Sequence, residues 1–208
     1  MRKVVYINDR RLLFANVYEY KDNKAERIAV MSDEKVSVED IIKKLESGDE
    51  KSIVYLSNNE EESWKNFVSH YVLIEAAGGL VENEKGEKLF IFRNGKWDLP
   101  KGKAEYDETP DVTALREVEE ECGLKNLKLK NEIKKTYHTY HEKGRSILKV
   151  THWYKMEVEG NQDLVPQLEE GITKVEWLND EEIRSVVFPN TYSSIRELLT
   201  VEVEGRKS

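Results

Sequence analysis

Apolar and polar residues alternate in short runs along most of the chain, which is the pattern of half-buried β-strands. Polar or glycine-containing turns bound these runs, and they predict strands at residues 3–7, 11–18, 28–31, 53–56, 71–75, 78–82, 88–93, 127–140, 148–158 and 172–178. The run at 127–140 fits one long strand or two short ones. Asn94-Gly95 is a two-residue hairpin signal after the strand at 88–93.

Helical spacing of apolar residues interrupts the strands at five places. The predicted helices are 37–48, 60–68, 109–123, a short one beginning at 180, and 191–199. Ser37 and Gly48 are suitable residues for the two ends of the first helix. These elements predict the fold class α/β (α+β), with a small N-terminal α/β subdomain at 1–68, a second domain at 69–208 and a frayed tail at 205–208.

The helix predicted after Thr109 carries an unusual density of carboxylates. Pro110 suits its first position and Gly123 its end, and an apolar stripe is expected at Val112, Leu115, Val118 and Cys122. Glu117, Glu120 and Glu121 are spaced so that all three reach one point above the helix, with Glu119 nearer the buried side. Such hard oxygen ligands suit Mg²⁺ or Mn²⁺. A solvated acidic face is the alternative.

Residues 102 to 124 resemble the Nudix box, G-x5-E-x7-R-E-U-x-E-E-x-G-U, where U is an aliphatic residue. Every fixed position is matched, by Gly102, Glu108, Arg116, Glu117, Val118, Glu120, Glu121, Gly123 and Leu124. The lead-in at 97–102 and the run Ala-Ala-Gly-Gly at 76–79 also resemble this family. The resemblance covers residues 70 to 185, and it implies an α/β/α sandwich around a mixed sheet in which the box forms a loop–helix–loop.

The resemblance implies a Nudix hydrolase, which cleaves a diphosphate linkage in a nucleoside diphosphate joined to another group X. Water attacks a phosphorus with the support of Mg²⁺ or Mn²⁺. The implied metal ligands are Glu117, Glu120, Glu121 and the backbone carbonyl of Lys101 or Gly102. Arg116 would orient a carboxylate, and Glu108 would be structural or touch the metal through water. The general base would be Glu117 or a glutamate from a later loop.

That later loop is Pro166-Gln167-Leu168-Glu169-Glu170-Gly171. A glutamate at this place contributes a ligand or a base in relatives, and Glu170 is chosen over Glu169. An exposed acidic turn is an equally good interpretation. The implied catalytic set is therefore Glu117, Glu120, Arg116 and Glu170.

Basic and aromatic residues around the box are candidates for substrate binding, namely Arg93, Lys101, Lys103, Tyr140 and His152. Aromatic rings can stack on a nucleobase, although core packing beside Trp153 and Tyr154 would explain His152 as well. Tyr140 resembles a tyrosine that lies about this far beyond the box in family members that split diadenosine polyphosphates. This similarity favours a dinucleoside polyphosphate. His138 and His141 fall on opposite faces of a strand, which argues against a metal site there.

Composition narrows the class of protein. The 208 residues include 36% charged residues and carry a formal net charge of −8, so a polymeric nucleic acid is not the expected partner. A single cysteine excludes a disulfide within the chain, and no apolar run reaches the length of a membrane span. The N-terminus becomes polar too soon for a signal peptide. We expect a cytoplasmic protein whose partner is a small phosphorylated substrate.

The sequence gives less information about the role of residues 1–68. A segment this short can bury only a small core of its own. We therefore expect it to pack on the second domain or to form a homodimer. The alternative to an enzyme is a Nudix-fold module that binds nucleotides or regulates without catalysis. Such proteins usually have an eroded box, and this box is whole.

Overall fold

The structure, a computed structural model, describes residues 3–20 and 28–204, so the frayed tail predicted at 205–208 lies outside the described residues. The chain separates into two compact units. The first comprises Met1–Ile74 with Tyr137–Lys149, and the second comprises Glu75–Thr136 with Val150–Ser208. The domain boundary at 68/69 stays a prediction.

The first unit begins with two strands joined by a tight turn at Asn8 and Asp9, whose φ angles are 50° and 63°. Its elements are β1 (Lys3–Ile7), β2 (Arg10–Asn16), β3 (Ala29–Ser32), α1 (Val38–Ser47), β4 (Ser52–Ser57) and α2 (Glu60–Ser69). Strand β1 pairs antiparallel with β2, whereas β2 and β3 both pair parallel with β4. The strands and helices predicted in this part of the chain are confirmed, with ends that shift by one or two residues.

Aromatic contacts form the core of the first unit. The ring of Phe14 meets Trp64 and Phe67 edge-on, with centroid distances of 5.6 and 5.4 Å. Ser37 caps α1, because its side chain accepts a hydrogen bond from the backbone N–H of Asp40. The amphipathic pattern and the caps therefore explain the local structure of this unit without reference to the rest of the chain.

The second unit contains the segment with the acidic helix. The remaining elements are β5 (Val72–Glu82), β6 (Lys88–Arg93), β7 (Lys96–Asp98), β8 (Lys101–Lys103), α3 (Pro110–Cys122), β9 (Lys128–Glu142), β10 (Arg145–Glu157), β11 (Ile172–Leu178), α4 (Asp180–Glu182) and α5 (Ser193–Glu204). Its strands follow the order β11-β6-β5-β10-β9, while β7 pairs with β6 and β8 with β5. The ends of β5, β9 and β10 at residues 72–74, 137–142 and 145–149 belong to the first unit.

Helices cover both faces of this sheet. Along β6, Leu89 and Ile91 pack in one apolar cluster with Val118 of α3. Phe90, which points the opposite way, packs in another with Leu198 of α5. The α/β/α sandwich implied by the family resemblance is therefore confirmed.

Two strand predictions needed correction. Residues 71–75 and 78–82 were predicted as separate strands, but β5 runs unbroken through them. Gly78 lies inside β5, where a Cβ atom would come within 2.2 Å of the carbonyl oxygen of Pro100. Gly78 therefore permits a close approach of two backbones rather than ending the strand. The short strands β7 and β8 were not predicted, because three residues are too few to show an alternating pattern.

Candidate active site

Helix α3 begins and ends where the sequence predicts. Thr109 is its N-cap residue, Pro110 occupies the first position, and Gly123 follows the helix with a φ angle of 74°. The N–H of Gly123 donates to the carbonyl oxygen of Glu119 at 2.9 Å. The glycine thus supplies the left-handed residue that ends the helix.

The buried face of α3 differs from the predicted stripe. It is centred on Ala114, Val118 and Cys122, while Val112 is 49% exposed and Glu119 is also exposed. The predictions for Val112 and Glu119 were therefore wrong. Val112 lies two positions, or about 200°, before Ala114 and so faces away from the sheet. The same geometry brings Glu121 beside the buried line, and its carboxylate is only 1% exposed.

Arg116 is the centre of one ion-pair cluster. Its guanidinium donates two hydrogen bonds to Glu108, at 2.7 and 2.8 Å, and a third to the carbonyl oxygen of Lys103 at 3.1 Å. The remaining nitrogen, Nη1, contacts Glu117 at 2.9 Å and Glu120 at 3.0 Å. The hydrogen bonds from Arg116 lower the pKa of Glu108 to about 2. Glu108 therefore fixes Arg116, and Arg116 orients two of the box glutamates.

Glu121 has a different environment. The backbone N–H of Lys101 donates to its Oε2 at 2.8 Å, and Nη1 of Arg93 lies 3.5 Å from its Oε1. Burial raises the pKa of Glu121 to about 7, although Lys101 and Arg93 act in the opposite direction. Burial therefore outweighs the two nearby positive charges at this carboxylate.

Gly102 lies directly against Glu117. The glycine pairs with Ala77 in the ladder between β8 and β5. A Cβ atom at position 102 would lie 1.9 Å from Oε2 of Glu117. Only a residue without a side chain leaves room for this carboxylate beside the strand.

Glu170 reaches the same region from the loop that precedes β11. Its Oε2 accepts a hydrogen bond from Nη2 of Arg93 at 3.0 Å, and its side chain is 52% exposed. Lys101 binds the carboxylate of Asp98 at 2.5 Å through its Nζ atom. Hydrogen bonds, ion pairs and the packing of Gly102 thus connect nine of the residues singled out in the sequence, namely Arg93, Lys101, Gly102, Lys103, Arg116, Glu117, Glu120, Glu121 and Glu170.

Lys103 is exposed, and it joins this network through its carbonyl oxygen, which accepts a hydrogen bond from Arg116. The other two proposed site residues have different surroundings. His152 is 6% exposed, and its Nδ1 lies 3.1 Å from a carboxylate oxygen of Glu132. Tyr140 belongs to the first unit, where its ring stacks on His138 at a centroid distance of 5.6 Å.

The sequence analysis gave no role to Asp98 or Glu132. Asp98 also accepts a hydrogen bond from the backbone N–H of Leu99 at 2.8 Å, so it organises the segment before β8. Its place in the family-like lead-in was the available signal. No local signal marks Glu132 as the partner of His152, because the two residues are 20 positions apart on adjacent strands.

The donor set fits a hard divalent cation. Within residues 3–20 and 28–204, no three His, Cys, Asp or Glu side chains converge closely enough to hold a metal ion, and Arg116 occupies Glu117 and Glu120. The carboxylates nevertheless outnumber the basic groups in this network, and the Glu117 carboxylate fills the space beside Gly102. Carboxylate and backbone oxygens are the ligands that Mg²⁺ and Mn²⁺ prefer.

Over the ranges that the structure describes, no helix is both long enough and apolar enough to cross a membrane. Cys122 is buried in α3. The environment of Cys122 is apolar, and burial raises the pKa of its thiol. Neither observation adds a group to the candidate site.

A family model described as the NUDIX domain matches residues 72–199. A MutT-like protein of Streptomyces ambofaciens is 46% identical over 52 residues, which are 24% of this chain and 34% of that protein. A provisionally assigned mutator protein, MutT4 of Mycobacterium tuberculosis, is 32% identical over 116 residues, 55% of this chain and 44% of that protein. The matches therefore span less than half the length of these curated relatives.

The fold is also similar to those of solved structures. The crystal structure of the MutT protein from Methanosarcina mazei Go1 superposes with a TM-score of 0.51 at 21% identity. The match covers 66% of this chain and 98% of that one. At this level of identity the similarity shows the shared fold.

Proposed function

This chain belongs to the NUDIX domain family, whose model spans more than half of it, and from that premise we propose that it hydrolyses the diphosphate linkage of nucleoside diphosphate-X compounds with Mg²⁺ or Mn²⁺. The observation that carries the proposal is the arrangement around α3. Helix α3 carries the three glutamates Glu117, Glu120 and Glu121, and strand β8 packs against two of them, Glu117 and Glu121. Arg116 contacts Glu117 and Glu120, whereas the buried Glu121 contacts the backbone N–H of Lys101 and Nη1 of Arg93.

The proposed metal ligands are Glu117, Glu120, Glu121 and the carbonyl oxygen of Lys101 or Gly102. Glu120 is half exposed, so it can exchange Arg116 for a cation at small cost. The chemistry supplied by a bound divalent cation is neutralisation of phosphate charge and acidification of water. An acidic site would otherwise repel a polyanionic substrate.

The side chains of this protein would then bind the substrate and move its protons. Lys101, Lys103 and Arg93 supply positive charge for phosphate oxygens. Water forms a new bond to phosphorus while the bridging P–O bond breaks, and the leaving phosphate takes the electron pair. A carboxylate, Glu117 or Glu170, accepts the proton of the attacking water. Arg116 keeps its bonds to Glu108 and fixes the direction of Glu117.

The finer substrate proposal is a dinucleoside polyphosphate. It rests on the spacing of Tyr140 from the box and on the lead-in before β8. We also propose that the N-terminal segment 1–68 supports a homodimer. Light scattering of the full chain against a chain beginning at residue 69 tests that part separately.

The test of the proposed activity is a product analysis. The full chain is incubated with Mg²⁺ or Mn²⁺ and a panel of dinucleoside polyphosphates, nucleotide sugars, ADP-ribose and nucleoside triphosphates. We expect one class of compound to release a nucleoside monophosphate or a nucleotide with more phosphates. When the reaction runs in ¹⁸O-labelled water, one phosphate product should contain the label. Thermal stabilisation by nucleotides without turnover of any compound would instead indicate a catalytically silent binding module.

A substitution at Gly102 tests the metal arrangement without touching a glutamate. In Gly102→Ala the new methyl group would displace the Glu117 carboxylate, which ends a flexible side chain and can move while the backbone stays in place. We expect Mn²⁺ affinity to fall by roughly 10-fold or more, the effect typical of disturbing groups that orient metal ligands. The melting temperature should change little.

Gly78→Ala is the contrasting variant, because its methyl group would meet the backbone oxygen of Pro100. That variant should lose stability instead. Unchanged Mn²⁺ affinity in folded Gly102→Ala protein would remove Glu117 from the proposed site.

A further inference from the structure

Arg93 occupies a junction between three parts of the second unit. It is the last residue of β6, and the pairing of β6 with β11 places it opposite Ile172. Glu170 lies two residues before Ile172, at the end of the 3-10 turn Leu168–Glu170. The sheet register itself therefore brings Arg93 next to Glu170.

The two arms of the Arg93 guanidinium contact different carboxylates. Nη2 lies 3.0 Å from the half-exposed Glu170, and Nη1 lies 3.5 Å from the buried Glu121. The Arg93 side chain is itself 30% exposed. Since a guanidinium has five N–H donors, this arrangement leaves donors available to a further acceptor.

The loop that carries Glu170 is attached to α3 by backbone hydrogen bonds at its start. The N–H of Val165 donates to the carbonyl oxygen of Cys122 at 2.9 Å, and that of Gln167 donates to Glu121 at 3.3 Å. After Gln167, the side-chain hydrogen bond that attaches the turn, within the described part of the chain, is the one that Arg93 donates to Glu170. The direction of the Glu170 side chain thus depends on Arg93.

We propose that Arg93 is a positioning residue that exchanges partners when substrate binds: its Nη2 arm leaves Glu170 for a phosphate oxygen, while its Nη1 arm stays with Glu121. This inference rests on the proposed function. A phosphate with two negative charges is a stronger acceptor for the planar fork than a half-exposed carboxylate. An ion pair as exposed as Arg93–Glu170 holds its partners weakly, so the exchange is easy.

The exchange gives the loop a function. In the substrate-free protein Arg93 neutralises Glu170 and keeps it in place. In the complex Glu170 is released with its full negative charge, next to a substrate that Arg93 now holds. The release of Glu170 would therefore depend on an occupied phosphate site.

Hydrogen–deuterium exchange of residues 165–171 measures this directly. The probe is imidodiphosphate, a diphosphate that is not hydrolysed at its bridging nitrogen, added with Mg²⁺ to the full chain. We expect wild-type protein to exchange faster in this loop when the probe is bound. Arg93→Gln should exchange fast already without probe and show no further change. Lys174→Gln, which removes an exposed charge from β11, is the matched control and should behave as wild type.

Kinetics separate positioning from a purely structural role. Arg93→Lys keeps the charge but loses the planar fork whose two arms reach separate acceptors, so we expect KM to rise about 10-fold, the size of one lost hydrogen bond to a charged group, with a smaller change in kcat. Arg93→Gln should raise KM further at an unchanged melting temperature. In the Arg93→Gln/Glu170→Gln double variant the two effects should be non-additive, because the residues act as a pair.

Failure of this inference is distinguishable from failure of the proposed function. A wild-type loop whose exchange does not respond to imidodiphosphate, or a protein that does not bind it, overturns the exchange of partners even when hydrolysis is normal. Wild-type protein that hydrolyses no compound of the substrate panel refutes the proposed function, whatever the loop does.

Discussion

Replacing Glu120 with glutamine is expected to reduce kcat for diphosphate hydrolysis by at least about 100-fold, because loss of groups that merely orient metal ligands already costs 10- to 100-fold. The amide has nearly the shape of the carboxylate but is a poor ligand for a hard cation. Glu120 is half exposed, and Arg116 keeps its contacts with Glu108 and Glu117. The fold should therefore be unaffected.

The matched control for Glu120→Gln is Glu119→Gln, one residue away on the exposed surface of the same helix. Both variants lose one negative charge from α3, so a general electrostatic effect would appear in both. We expect Glu119→Gln to retain activity and Mn²⁺ affinity. Equal losses in the two variants, or full activity in Glu120→Gln, would contradict the assignment of Glu120 as a metal ligand.

Replacing Glu121 with glutamine is expected to abolish activity and, in the absence of metal, to stabilise the protein at pH 8. The pKa of Glu121 is raised by burial from 4.5 to about 7. A folded pKa above the unfolded value means that the protonated form stabilises the fold. That stabilisation is fully present below about pH 4.5 and is lost as the pH rises through 7. At pH 8 the buried charge therefore destabilises the metal-free protein, by roughly 3 kcal/mol for a shift of this size.

Thermal unfolding of both proteins in EDTA between pH 5 and pH 8 measures this effect. Wild-type stability should decline across this range relative to Glu121→Gln, and the difference between the two isolates Glu121 from other titrating groups. Mg²⁺ should restore wild-type stability at pH 8 and leave the variant unchanged. A wild-type protein that is more stable than the variant at pH 8 without metal would refute the destabilising charge. Loss of stability for the sake of a functional charge is a common trade-off in active sites.

Local signals predicted the ends of α1 and α3, but they placed the last helix at 191–199, whereas α5 is Ser193–Glu204. Ser37 and Gly48 bound α1, and Thr109 and Gly123 bound α3, because caps depend on a few neighbouring residues. The rotation of α3 was predicted less well. Which side of a helix is buried depends on the sheet beneath it, so Val112 was wrongly assigned to the apolar stripe. The burial of Glu121 follows from the same tertiary packing.

The residues of the candidate site could be predicted from the spacing of the motif, but their partners could not. The box indicates that Arg116 orients a carboxylate, yet its double contact with Glu108 depends on the path of the loop at 103–108. Arg93 meets Glu170 because of the register in which β6 and β11 pair, although the two residues are 77 positions apart in the sequence. Tyr140 was selected by its distance from the box, and the structure assigns it to the unit that contains the N-terminal strands.

The pH dependence of Glu121 also couples it to metal binding. A group with a pKa of about 7 releases a proton when a cation binds to it, so metal affinity should rise with pH around neutrality. This coupling links the stability experiment to the metal assignment, since one carboxylate is responsible for both effects.

Anomalous diffraction from crystals soaked in Mn²⁺ would locate the metal relative to α3. We expect a manganese peak bound by carboxylate oxygens of Glu120 and Glu121, with Glu117 beside Gly102 and the Glu120–Arg116 contact broken. An empty site at saturating Mn²⁺, with Glu117 and Glu120 still paired to Arg116, would contradict this expectation.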